Sequence, residues 1–210
     1  MTLRTNALMS LGALALATGA ASAGIVNETH FDTGLDGWMP ANADEFVWRA
    51  NGSDDSGGYL EFIDNSGGGG FVWAPDAWLG DWSSLDGFAT ISYDHRIFAA
   101  SGGTSRVPHE IRIAGAGGEA RWYADSATTS TTGWITLSAQ LDREDWTMIR
   151  GTWDALLGEI DSLGIRVEVV SNNSYLTDRE GIDRIMMSSA VPAPGAAILF
   201  AGLARRRRRR

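Results

Sequence analysis

Phe88-Ala89-Thr90-Ile91-Ser92-Tyr93-Asp94-His95-Arg96-Ile97-Phe98 alternates in character, with Ile91, Tyr93, His95 and Ile97 on one side and Ser92, Asp94 and Arg96 on the other. A period of two puts these sets on opposite faces of a strand, one turned to a core and one to solvent. Shorter segments rich in aromatic and β-branched residues surround it, at 46–48, 59–63, 71–73, 110–114, 120–124, 134–137, 164–170 and 182–187. Turn-forming clusters recur between them, at Asn51-Gly52-Ser53-Asp54-Asp55, 66–70, Ser101-Gly102-Gly103 and 128–133. Many short strands divided by such turns predict a sandwich of antiparallel sheets rather than a parallel sheet. One segment breaks the rhythm. Trp153, Leu156, Leu157 and Ile160 stand at helical spacing behind Thr152, with Asp154 near the positive end of the dipole. They predict one short helix over an end of the sandwich, capped by Thr152.

The two ends read differently from the middle. Arg4 precedes an apolar run over 7–19, and Ala21-Ser22-Ala23 follows as a small-residue cleavage pattern. That order is what a signal peptidase reads, so residues 1–23 are expected to be a signal peptide and the chain to be exported. At the other end, Val191-Pro192-Ala193-Pro194-Gly195 leads into an apolar stretch over 196–204 and six arginines, from Arg205 and Arg206 onward. A Pro-rich break, an apolar stretch and a basic cluster suit transient membrane contact with the charges on the cytoplasmic side. The apolar stretch is short against the roughly 20 residues that a spanning helix needs. The tail resembles a PEP-CTERM sorting signal, with Pro-Ala-Pro where Pro-Glu-Pro is usual. The resemblance implies an exosortase-type processing enzyme as partner and a destination at the cell surface or beyond. The expected organisation is a signal peptide at 1–23, one β-sandwich domain at 24–189 and a sorting tail at 190–210.

All 17 basic residues are arginine, one in the leader and six in the tail; ten remain in the middle beside all 26 acidic residues, a charge of −16. Such a body repels nucleic acid and anionic lipid, so nucleic acid is not an expected partner. There are no cysteines, so packing rather than disulfides must hold an exported domain together. The middle has length enough for one core.

The chemistry-bearing motifs are sparse. His109-Glu110 lacks the second histidine of a zinc-protease helix, because Ile113 stands there. No G-x-S-x-G elbow occurs, and the chain has no lysine for a phosphate loop. No spacing singles out a glycosidase pair among the carboxylates. The chain is therefore expected to be no enzyme and to need no cofactor, apart from a possible structural calcium. Asp32 and Asp36 near the start and Asp183 near the end are the calcium candidates. The reading preferred for them is solvated, turn-fixing acids. Nine tryptophans are present. Trp38, Trp78, Trp82 and Trp134 fall at predicted strand ends or loops, where they would either pack or form a platform for sugar rings.

The middle resembles a laminin IV type A (laminin B) domain over about residues 31–187. The opening Phe31-Asp32-Thr33-Gly34-Leu35-Asp36-Gly37-Trp38, then Gly57-Gly58-Tyr59-Leu60, then Phe71-Val72-Trp73-Ala74-Pro75-Asp76-Ala77-Trp78-Leu79-Gly80-Asp81 carry the likeness. Downstream, Gly133-Trp134-Ile135-Thr136-Leu137, Leu156-Leu157, Ile165-Arg166 and Gly181-Ile182-Asp183 follow in the family's order. The resemblance implies a jelly-roll or galactose-binding-like sandwich, non-enzymatic, acting in adhesion or structure with a matrix protein as partner. The other expectation is a carbohydrate-binding module that holds exopolysaccharide through loop tryptophans.

Overall fold

The alternating run becomes β6 (Ala89–Ala99), the strand on which one sheet is organised. The computed structural model describes residues 22–41, 45–53, 57–64, 70–100, 105–124, 133–171 and 178–191. The leader up to residue 21 and the tail from Pro192, with Pro194, Gly195, Arg205 and Arg206, lie outside the described residues. In the first sheet the order is β10 (Ile135–Gln140), β6, β14 (Arg179–Val191), β4 (Gly58–Ile63) and β3 (Phe46–Ala50). β1 (Ser22–Thr29) also pairs with β14. The second sheet runs β11 (Thr147–Gly151), β9 (Gly118–Tyr123), β8 (Glu110–Gly115), β12 (Ser162–Arg166), β5 (Phe71–Trp73) and β2 (Met39–Pro40). A two-stranded pair joins β7 (Ser105–Arg106) to β13 (Val170–Ser171). The registered pairs are antiparallel. The fold is an antiparallel β-sandwich with one helix, as expected. The ends of that sandwich, β1 from Ser22 and β14 to Val191, reach past both limits drawn from sequence.

Alternation in β6 does what its period requires. Ala89, Ile91, Tyr93, His95 and Ile97 are buried, and all but His95 and Ile97 join the main apolar cluster. Leu60, Phe62, Ile111, Ile113, Leu163, Ile165, Ile182 and Met187 meet them there from both sheets. Register then carries the opposite set outward: Asp94 faces Thr136 on β10 and Asp183 on β14, and Arg96 faces Gly181. A bulge interrupts β14 between Asp183 and Met186, and Arg184 takes a left-handed φ of 42° there.

The predicted helix is α1 (Trp153–Leu157), with Trp153, Leu156 and Leu157 buried. Thr152 sits at its N-cap with extended backbone, but its side chain makes no capping bond. Ile160 is past the helix and bridges Gly80: each amide donates to the other's carbonyl, at 2.8 and 2.9 Å. Gly80 has a φ of 113°, which a side chain would resist. Asp81 beside it accepts from the Ser83 amide at 2.9 Å, and the Ser83 side chain first, then that amide, lower its pKa. The Leu-Gly-Asp motif is thus a turn stapled to the segment after the helix. Two expectations of extent change. The run at 164–170 divides into β12 and β13, and β11 was not expected, because its side chains are largely exposed and show no apolar face.

Candidate functional site

Of the four tryptophans singled out from sequence, three are core residues. Trp38, Trp78 and Trp82 are only 1 to 3% exposed. Trp38 packs edge-on against Trp78 with centroids 5.3 Å apart. Its indole N–H donates to Thr29 Oγ1, and that of Trp82 to the Trp78 carbonyl, each at 3.1 Å. Rings so enclosed present no face to a sugar, which corrects the expectation for these three. They lie near strand ends but on the inner side, where large rings fill the space between the sheets.

Trp134 is different. It is half-buried at the start of β10 and meets Tyr59 and Phe98, with centroids 5.3 and 5.7 Å away and rings nearly perpendicular. Tyr59 and Phe98 stack at 5.1 Å and 28°. The three come from β4, β6 and the edge of β10, and they converge over Gly181 of β14. A Cβ on Gly181 would stand 2.7 Å from Phe98 Cε2 and 3.1 Å from both other rings. The missing side chain is what lets three rings seat on the outer face of the sheet. Sequence reading placed Tyr59 and Phe98 in strands without assigning them a role. Their parity was the available signal, since Phe98 shares the outward set with Asp94 and Arg96.

Charged groups continue this face. Glu61 is fully buried and bridges two guanidiniums: Arg49 Nε donates to it at 2.6 Å, and Arg179 Nε at 2.6 Å from the other side. Asp94 accepts from Thr136 Oγ1 at 2.6 Å and pairs with Arg184 Nε at 3.2 Å. Arg96 holds its guanidinium 4.8 Å over the Phe98 ring. The Tyr59 hydroxyl is held above its ordinary pKa, first by burial and then by Glu61, although Arg179, Arg49 and Arg96 pull the other way.

The second sheet has its own outer cluster, but it is closed on itself. Phe71 stacks on Trp73 at 5.7 Å and is covered by the guanidiniums of Arg112 and Arg166, 4.6 and 5.1 Å from its centre. Glu110 pairs with Arg112, Arg121 and Arg166. Carboxylate and aromatic faces there already have their partners.

Two of the three calcium candidates, Asp32 and Asp183, lie against one loop whose ends, Gly52 and Gly57, are hydrogen-bonded to each other. Asp183 is buried and accepts from the amides of Ser53 at 2.5 Å and of Arg184 at 2.6 Å. Asp32 instead lies against Gly57, at the other end of the same loop, and Asp36 is exposed with a φ of 48°. Among the described residues no group of three or more His, Asp or Glu side chains is placed to hold a metal ion. Adjacent strands brought Asp183 to this loop, but its oxygens serve backbone amides.

Buried ionisable groups inside the sandwich complete the inventory. His95 Nε2 donates to the Val167 carbonyl oxygen at 2.9 Å, which sets the tautomer. Burial, and then His109, lower its pKa to about 3. Burial raises Tyr93. Glu180 accepts from the amides of Val169 and Val170 at 2.7 and 2.8 Å, and burial raises its pKa well above the carboxylate range. Glu168 accepts from Gly70 N at 2.8 Å and is raised to about 7, chiefly by burial.

The fold and this face define an antiparallel β-sandwich of the jelly-roll kind with half-buried aromatic side chains and arginines on the outer face of one sheet. Among solved structures it is similar to the CBM22-1-CBM22-2 tandem of Paenibacillus barcinonensis Xyn10C, at TM-score 0.51 and 11% identity over 84% of this chain. The match spans about half, 51%, of that tandem. It is also similar to the L4b domain of human laminin alpha-2, at TM-score 0.49 and 11% identity, covering 79% of this chain and 99% of that one. A family 11 carbohydrate-binding module of Clostridium thermocellum Lic26A-Cel5E matches at TM-score 0.45 and 19% identity, over 80% and 97% of the two chains. No family model and no curated protein matches the sequence.

Proposed function

We propose that this chain is a non-catalytic carbohydrate-binding module, acting outside the cell, that holds a polysaccharide on the outer face of the β10-β6-β14-β4-β3 sheet. The observation that carries the reading is the cluster of Tyr59, Phe98 and Trp134 seated over Gly181. Partly exposed rings on a rigid sheet offer apolar area to sugar C–H faces at little entropic cost, and the neighbouring guanidiniums offer hydrogen bonds to hydroxyls. The likeness in fold to a CBM22 tandem supports the architecture, while the site itself has to support the activity. Adhesion then becomes the consequence of holding a glycan at the cell surface. Export, and processing of the tail by an exosortase-type enzyme, belong to the same proposal and rest on the leader and tail sequences.

Affinity electrophoresis and calorimetry of the purified chain against neutral and acidic polysaccharides test it. Trp134→Ala is expected to weaken binding about tenfold or more, the loss expected of a central aromatic anchor. Phe71→Ala on the opposite sheet should leave affinity unchanged. Equal affinity in wild type and Trp134→Ala would place the ligand elsewhere.

A further inference from the structure

Four arginines stand on the outer face of this sheet, and three of them already pair with a carboxylate. Arg49 and Arg179 share Glu61, and Arg184 pairs with Asp94. Arg96 is the exception: among the described residues no carboxylate pairs with it, and its Nε is buried without a hydrogen-bond partner. It stands directly across from Gly181 in the register and over the Phe98 ring, beside the aromatic cluster. An unpaired guanidinium next to a stacking platform is an unusual thing to leave in a body of charge −16, where carboxylates are abundant.

We infer that the ligand is an acidic polysaccharide whose uronate carboxylate is read by Arg96, while the rings hold the sugar backbone. This rests on the carbohydrate-binding reading above and narrows its substrate class. The charge complementarity is local. Nearby carboxylates Glu61 and Asp94 are paired within the face, and at physiological salt the Debye length of about 8 Å screens the remoter acids. The planar fork of arginine matches a carboxylate, and the face itself already contains that pairing, in Arg49–Glu61–Arg179 and Arg184–Asp94.

The test compares polygalacturonate, alginate and glucuronoxylan with their carboxyl-reduced forms, beside a sulfated galactan that lacks uronate, in 0.15 M salt. At least one uronate polymer is expected to bind about tenfold or more tighter than its reduced form. Arg96→Gln should erase that ratio, and Arg96→Lys should keep part of it, while Trp134→Ala weakens the acidic and reduced forms alike. Melting temperatures of the variants report on folding, and the lysine variant keeps the charge should the glutamine variant prove unstable. Equal binding of acidic and reduced forms, with loss on Trp134→Ala, would overturn the role of Arg96 and leave the binding module standing. Preference for the sulfated galactan alone would overturn the uronate assignment. Binding to none of these polymers would overturn both.

Discussion

At the scale of single residues, this site depends on a side chain that is absent. Gly181 has ordinary negative φ and no conformational reason to be glycine; the reason is the three rings above it. Gly181→Ala would force at least Phe98 aside, since contacts of 2.7 Å do not occur between carbon atoms at rest. Overpacking of this sort costs typically about 1–3 kcal/mol. The expected outcome is a folded protein with a lower melting temperature, altered near-ultraviolet dichroism and weakened glycan binding. Unchanged dichroism and affinity would show that the rings are not seated as described. The sequence reading reached Trp134 but also chose Trp38, Trp78 and Trp82, because position near a strand end does not tell which way a ring points. Parity within β6 was the unused signal for Phe98, which shares the face of Asp94 and Arg96 once Ile91 and Tyr93 anchor the inner side.

At the scale of elements, α1 is short enough that its own hydrogen bonds cannot sustain it. What holds it is burial of Trp153, Leu156 and Leu157, together with the Trp82 amide donating to the Leu157 carbonyl at 2.8 Å and the Gly80–Ile160 bridge that follows. Trp153 Nε1 adds a bond to Asp86 at 2.9 Å. Leu156→Ala should therefore cost about 2–5 kcal/mol, within the range for buried leucine, and appear as a lower urea midpoint. Thr152→Ala should change that midpoint by far less, because the Thr152 side chain caps nothing. A larger effect at Thr152 than at Leu156 would contradict the burial account. Periodicity exposed this helix in the sequence, but capping chemistry was only an inference from residue type, and the geometry did not use it.

For the whole molecule, the buried ionisable groups set how stability depends on pH. Glu168, raised to about 7, and Glu180, raised well above the usual carboxylate value, hold protons in the folded state that the unfolded chain has released above about 4.5. Their contribution is fully present below that value and is lost as pH rises through the folded pKa. Like charges on Glu45, Asp64 and Asp178 reinforce the direction, and Arg166 opposes it for Glu168. His95 acts oppositely: lowered to about 3, it stays neutral while the unfolded imidazole gains a proton below about 6.5, so its effect is destabilising as pH falls. Two groups against one, with self-repulsion of the acidic body also relaxing, predict a higher melting temperature at pH 5 than at pH 7.5. The measurement is a thermal melt series in 1 M salt, which suppresses the general repulsion. Glu180→Gln should reduce the acid-side gain; an identical profile in that variant would remove Glu180 from the account.

The sequence by itself determined the class of fold, because alternation in β6 and recurring turns leave an antiparallel sandwich as the way to bury one face of many short strands. It also determined the helix, through the spacing of Trp153, Leu156 and Leu157. Tertiary structure alone decided the site. Tyr59, Phe98, Trp134 and Gly181 are up to about 120 positions apart, and only strand order and register bring them to one point. Charge pairing was decided there as well: composition shows an excess of acids, yet only geometry shows which arginines are paired and that, among the described residues, no carboxylate pairs with Arg96. Local periodicity reports which side of a strand a residue faces; which neighbours share that side depends on contacts between distant segments, and these exist only once the sheets have formed.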